Sequence, residues 1–171
     1  MEIAGLGKLT PDEDIEEWLA SRPVSVPFFE GLPLRFVFNG MAEDDGQHEY
    51  VEAYTNFMTL TREDRKHASA CVYRNYQEFV AAVGPEDVSC HIASAEDVWK
   101  HVRPTEIFVA RRHRRDRKVY VQITAECDWE REHGLQIVYR EGKTLSRVSD
   151  QDGHLTHTDA YDLPEDEDRI C

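Results

Sequence analysis

The sequence predicts an α+β fold: a mostly antiparallel sheet of about six strands from both chain ends, covered on one face by the helices of 47–83. Three observations predict it. Extended segments lie near the start, two helical stripes fill the middle, and the last third alternates apolar and polar residues with a period of two. Strands, helices and strands in separate blocks, with short links between neighbouring strands, point to antiparallel pairing and away from a doubly wound sheet.

In chain order, Thr10–Ala20 admits two readings. Thr10, Pro11 and Glu13 form a helix start, with Ile15, Trp18 and Leu19 on one helical face. A short extended passage is the other reading, because a helix of ~10 residues is marginal alone. Val24–Phe29 and Leu34–Phe38 read as extended, with Glu30-Gly31-Leu32-Pro33 as the turn between them. Tyr50, Val51, Tyr54, Phe57 and Met58 share one face of a helix over 47–59. Thr61, with Asp64 as capping-box partner, starts a second helix whose stripe is Ala68, Cys71, Val72, Tyr76, Phe79, Val80 and Val83. Gly84-Pro85 closes it, the glycine as a left-handed cap. Ser94 and Asp97 predict a third, short helix carrying Val98, Trp99 and Val102 up to Pro104.

The remainder reads as a β-meander. Ile107–Ala110 forms one strand. Val119, Val121, Ile123, Ala125 and Cys127 alternate with polar neighbours in the next. Leu135, Ile137 and Tyr139 define a third, Glu141-Gly142 a two-residue hairpin turn, and Leu145–Val148 a fourth.

At 171 residues the chain is expected to form a single domain over 1–162, followed by an acidic, flexible tail over 163–171. The net charge of −14 argues against whole-surface binding to nucleic acid or to an anionic membrane, because the phosphate term is repulsive. Mean hydropathy is −0.63, and no apolar run reaches the ~18–20 residues of a membrane span. Met1–Gly7 lacks the basic-then-apolar pattern of a signal peptide. Cys71, Cys90, Cys127 and Cys171 are scattered and match no zinc spacing. They read as reduced thiols of a cytoplasmic protein, Cys71 on a helix stripe and Cys171 exposed.

Three segments carry candidate chemistry. Arg111-Arg112-His113-Arg114-Arg115-Asp116-Arg117-Lys118 falls at a hairpin tip. Arg111, Arg112, Arg114 and Arg115 are candidates to grip a phosphate or an acidic partner. A turn docked on the molecule's own acidic surface is the plainer reading. The second segment is Cys127–Leu135, where carboxylates and a histidine suggest a divalent metal. An extended run would put Asp128, Glu130 and Glu132 on one face and His133 on the other. A hairpin loop would put Glu132 and His133 at its tip, with Trp129 an anchor beside Leu135 or a partner contact. The third segment supplies His154, His157 and Asp159 after the Asp152-Gly153 turn. Antiparallel geometry brings this turn to the same sheet end as His133. Glu132, His133, His154, His157 and Asp159 are therefore the candidate metal ligands or acid–base groups.

No phosphate-binding glycine loop, dinucleotide fingerprint, nucleophile elbow or zinc-protease motif occurs. Neither catalytic residue nor cofactor is therefore assigned. The acidic clusters Asp12–Glu17 and Glu43-Asp44-Asp45 point to a non-enzymatic binding protein, one that neutralises a basic protein partner. The alternative is an enzyme or metal-binding protein using the Glu/His cluster.

The run Val119-Tyr120-Val121-Gln122, then Cys127-Asp128-Trp129-Glu130 and Glu132-His133-Gly134-Leu135-Gln136-Ile137-Val138, resembles a family of small bacterial proteins catalogued as a domain of unknown function. Val24, Val26-Pro27-Phe28-Phe29 and His101-Val102-Arg103-Pro104 are similar as well, so the resemblance spans about 5–161. It implies a bacterial cytoplasmic origin and an extended first segment, and it transfers no activity. Size and acidity are similar in general character to toxin-neutralising immunity proteins.

Overall fold

The computed structural model describes residues 1–171. The α+β prediction holds, with a mixed seven-stranded sheet at its centre. β1 (Glu2–Ile3) and β2 (Gly7–Lys8) form a small ribbon. β3 (Thr10–Pro11) and β4 (Leu19–Ala20) are two-residue strands, so the extended reading of 10–20 is the correct one. Asp12 explains why the helix start fails. Its carboxylate accepts the amides of Asp14 and Ile15, while its own N–H donates to Trp18 O at 2.8 Å and closes a hairpin. β5 (Val24–Val26) and β6 (Leu32–Leu34) pair across residues 27–31: Pro27–Phe29, expected as strand, is a 3₁₀ turn, and Leu32 and Pro33, expected in the turn, are strand.

β7 (Phe36–Asn39) leads into α1 (Gln47–Phe57) and α2 (Arg62–Val83). The capping box at Thr61 forms as expected, with the Asp64 carboxylate accepting Thr61 N–H at 2.8 Å. Gly84 takes φ 99° and ψ 144°, a positive φ that suits glycine, but not the left-handed helical cap expected. The third helix is one 3₁₀ turn, Val98–His101, followed at once by a strand.

The meander comprises β8 (Val102–Arg111), β9 (Val119–Cys127), β10 (Leu135–Arg140) and β11 (Thr144–Ser149). The link between β10 and β11 is three residues, 141–143, because Arg140 pairs with Thr144. The sheet order is β11-β10-β9-β8-β7-β4-β3. Every neighbouring pair is antiparallel except β7 and β8, which run parallel with Phe36 opposite Ile107. The helices are thus the crossover of one strand–helix–strand unit, which the block order did not predict.

One sheet face packs under α1 and the 27–29 turn. Phe28 lies at the centre, with ring centroids 4.9 Å from Phe29, 5.6 Å from Phe57 and 5.6 Å from Tyr139. Fully burying such a ring stabilises the fold by roughly 1.5–3 kcal/mol. The β10–β11 turn presses on α1, where Asn56 donates to Glu141 O at 2.9 Å.

Residues 150–171 lie against the opposite face and along the β11 edge. α3 (His157–Tyr161) sits here, and Val148 N–H donates to Ile170 O at 2.8 Å. Cys171 is disulfide-bonded to Cys71 on α2. Two expectations are corrected: the tail over 163–171 is docked rather than free, and two of the four cysteines are paired. Cys127 is the buried thiol, pushed up to about 12 by burial. No helix is long and apolar enough to cross a membrane.

Candidate functional site

The basic run lies where β8 turns into β9, and most of it is spent inside the molecule. Arg111 donates from Nε and Nη2 to Asp44 at 2.6 and 2.9 Å, donates to the Glu49 carboxylate, and stands 5.4 Å over the Tyr50 ring. The Arg111 guanidinium holds the Asp44 carboxyl below the usual carboxylate range, against the opposing effect of burial.

Arg112 points to the other face and is 3% exposed. It donates to Asp159 at 2.6 and 2.8 Å, to Glu165 at 2.7 and 3.1 Å, to Thr156 Oγ1 at 3.0 Å and to Thr158 Oγ1 at 3.3 Å. Arg115 donates to Glu165 at 2.6 Å. Burial pushes the Asp159 carboxyl up, but the Arg112 guanidinium outweighs it and the net shift is down. The guanidiniums of Arg112, then Arg115, hold the Glu165 carboxyl down to about 2. A buried cation with two carboxylates and two hydroxyls is fully partnered, so Arg112 is an anchor for residues 156–165. Arg114 alone of the four candidate arginines is exposed without an acidic partner. A cleft of about 440 Å³ opens beside it, lined by Arg114, His113, His154, Leu155 and the Arg112–Asp159 pair.

A second buried arginine continues this polar layer. Arg147 donates to Asp152 at 2.6 and 2.7 Å and to His154 O at 2.8 Å. Gln136, fully buried, donates to Asp152, to Ser149 Oγ and to His154 O, each at 3.0 Å. Sequence reasoning gave neither residue a role. Gln136 in an otherwise apolar strand was the available signal, since a buried amide demands partners.

The metal candidates are not brought together. No group of three or more His, Cys, Asp or Glu side chains is placed to hold an ion. The Glu132 and His133 amides donate to Glu130 Oε1, and the His133 ring faces Glu130 at 3.5 Å. The His157 ring lies against Tyr161 at 4.6 Å, His154 contributes its carbonyl, and Asp159 is committed to Arg112. The expected meeting of the two loops does occur: Gln151 Nε2 donates to Ala125 O and Leu135 O at 2.9 and 3.3 Å. It is Gln151, not the imidazoles, that bridges them.

Trp129 is not a partner contact. It is 3% exposed, donates to Asn75 Oδ1 at 2.9 Å and meets the Tyr76 ring edge-on. It pins the meander to α2. An ordered acidic loop over 12–18 stands apart from all of this. Asp12 is paired with Arg35 at 3.2 Å, and Trp18 lies edge-on to Phe108 at 6.1 Å. Glu13, Asp14, Glu16 and Glu17 are exposed around Ile15, itself 36% exposed.

No curated protein and no solved structure is significantly similar to the chain. One family model, described as a domain of unknown function, DUF6985, matches residues 5–155. That match covers most of the chain, from the first ribbon to the turn before α3, and the chain therefore belongs to the DUF6985 family.

Proposed function

We propose that this chain is an acidic binding protein for a basic protein partner, acting by binding rather than by catalysis, with the 12–18 loop as its contact surface. One observation carries the reading. The loop is held in shape by Asp12, Trp18 and Arg35, and it presents four carboxylates without ion-pair partners around an exposed isoleucine. A preformed apolar tip with a charged rim suits a protein interface, where the rim steers encounter and the tip is desolvated. The basic hairpin, by contrast, is largely neutralised by Asp44, Glu49, Asp159 and Glu165, which leaves the acidic excess outward. A bacterial cytoplasmic setting belongs to the same proposal, and neither nucleic acid nor membrane is its partner.

The test is affinity capture from a lysate on immobilised protein at low and high salt, with proteins identified by mass spectrometry. The variant Glu13→Lys/Asp14→Lys/Glu16→Lys/Glu17→Lys is compared with a control of equal charge change elsewhere on the surface. A basic protein retained at low salt, weakened by salt and lost only with the loop variant supports the reading. Identical retention by both variants sinks it.

A further inference from the structure

Residues 156–171 form a strap bound to the domain in three different ways. Its carboxylates Asp159 and Glu165 occupy the guanidiniums of Arg112 and Arg115. Its backbone meets the sheet edge through Val148 N–H and Ile170 O. Its last residue is covalently tied to α2 through Cys71. The strap also carries Asp162, Asp166, Glu167 and Asp168 against a single arginine, on a molecule of net charge −14. Away from Arg112 and Arg115 it is repelled by the rest of the chain, so the covalent tie works against a standing electrostatic push. The family match stops at residue 155, one residue before the strap begins, whereas Arg112 and Arg115 lie inside the matched domain. The matched region thus contains both arginines and stops short of the strap.

We infer that the strap is a redox-locked internal ligand: the Cys71–Cys171 disulfide holds it in a guanidinium groove formed by Arg112 and Arg115, and reduction opens that groove to an acidic peptide. The groove's chemistry is displayed by what fills it. Arg112 takes one carboxylate through two hydrogen bonds and a second one six residues along the chain, with Thr156 and Thr158 hydroxyls between. A peptide fits when it offers two carboxylates at that spacing, and an acidic protein segment is the partner class. The adjoining cleft beside Arg114 is already open and gives such a segment a point of entry.

The lock is reachable. Cys71 and Cys171, both partly exposed, line a surface cavity of about 150 Å³ whose rim includes Arg169 and His157. A dithiol reductant attacks one sulfur as its thiolate, forming a mixed disulfide. Its second thiolate then displaces the protein sulfur. The Cys71–Cys171 bond breaks and the reductant's disulfide forms. Two electrons pass to the protein, and the two protons of the dithiol end on Cys71 and Cys171. In a reducing compartment such a bond is transient, which is the behaviour a lock requires.

The experiment uses the full chain, oxidised or treated with dithiothreitol. Hydrogen exchange is followed at Val148, Thr158 and Leu163, whose amides are held by the strap's own contacts. Reduction is expected to speed these amides by roughly tenfold or more while those of β8–β10 stay protected. Cys171→Ser, which leaves the arginine contacts intact, is expected to show the reduced pattern without reductant. A labelled peptide of residues 156–170 is then titrated into Asp159→Asn/Glu165→Gln chain, whose own strap competes poorly. It is expected to bind the reduced form at least about tenfold more tightly than the oxidised form, and a peptide with the same two substitutions is expected not to bind. Unchanged exchange on reduction, or a Cys171→Ser chain that keeps the oxidised pattern, overturns the lock. Equal binding of the two peptides overturns the groove. If the double variant does not fold, the same two peptides are titrated into the Cys171→Ser chain, where equal binding or no binding of both overturns the groove.

Discussion

Arg112 and Asp159 meet through a two-point contact, Nε to Oδ2 at 2.6 Å and Nη2 to Oδ1 at 2.8 Å, between the end of β8 and the start of α3. The guanidinium is almost wholly buried, so its partners replace water rather than compete with it. Arg112→Ala leaves Asp159 with only the longer Arg115 contact at 3.6 Å and strips Thr156 and Thr158 of their charged donor, and is expected to cost about 2–3 kcal/mol. Urea unfolding of the two proteins measures it, and a loss below about 1 kcal/mol refutes the anchor.

Acid is expected to weaken the same contact. The Glu165 carboxyl is lowered from 4.5 to about 2, chiefly by Arg112 and then Arg115. The folded state therefore binds this proton less readily than the unfolded chain. The resulting stability is fully present above the ordinary carboxylate range and is lost as pH falls from 4.5 toward about 2. Half of the Glu165 side chain stays in water, so the effect is below about 1 kcal/mol. Glu165→Gln is expected to lower the urea midpoint at neutral pH and to match wild type near pH 2. A deficit that persists in acid assigns the loss to something other than this ion pair.

Trp129→Phe keeps a ring against Tyr76 but removes the donor to Asn75. The expected loss is about 1–2 kcal/mol. Asn75→Ala should cost more, since it also removes the bond from Asn75 Nδ2 to Asp150 Oδ1 at 2.9 Å. The double variant should cost less than their sum, because both remove one bond. A double-mutant cycle by chemical denaturation checks this, and strict additivity would show that the bond contributes nothing.

Gly142 in the β10–β11 turn has φ 70°, and a Cβ built there would lie 1.9 Å from Ala53 O on α1. Neither backbone can move far, since Asn56 already ties the turn to the helix. Gly142→Ala is expected to destabilise by roughly 2–3 kcal/mol. For a domain of this size that corresponds to a fall in Tm of roughly 5–10 °C, read by thermal denaturation. An unchanged Tm would mean that α1 does not press on the turn.

The meander was legible because each strand carries its own period-two pattern, and α2 because Thr61 and Asp64 sit three residues apart. Both signals are local. The parallel pairing of β7 with β8 left no such mark, since its two strands lie on either side of the helices and each reads the same whichever neighbour it takes. Thr10–Ala20 was decided by one carboxylate, Asp12, whose bonds to the next amides compete with a helix start. At the site, the nearness of the 129–134 loop to the Asp152-Gly153 turn followed from antiparallel geometry, and Gln151 realises it. The directions of His133, His154 and His157 did not follow, because loop torsions set them. Arg112 was indistinguishable from Arg114 in the sequence: six of the eight residues from 111 to 118 are basic, and only a distant strap separates the buried arginine from the exposed one. The tail read as free because acidic composition reports solvation and says nothing of a counterion that lies some fifty residues away.

The parallel register of β7 against β8 also sets a schedule for biosynthesis. Phe36, Val37 and Phe38 leave the ribosome with no sheet neighbour other than the two-residue β4, and their long partner, from Ile107 to Val109, follows some seventy residues later. At ~5–20 residues per second that interval is roughly 4–14 s. During it α1 and α2 are complete and can shield the aromatic strand, with Tyr54 and Phe57 against Phe36 as in the finished fold. The chain order thus makes the helices, rather than β8, the first large partner available to the aromatic strand.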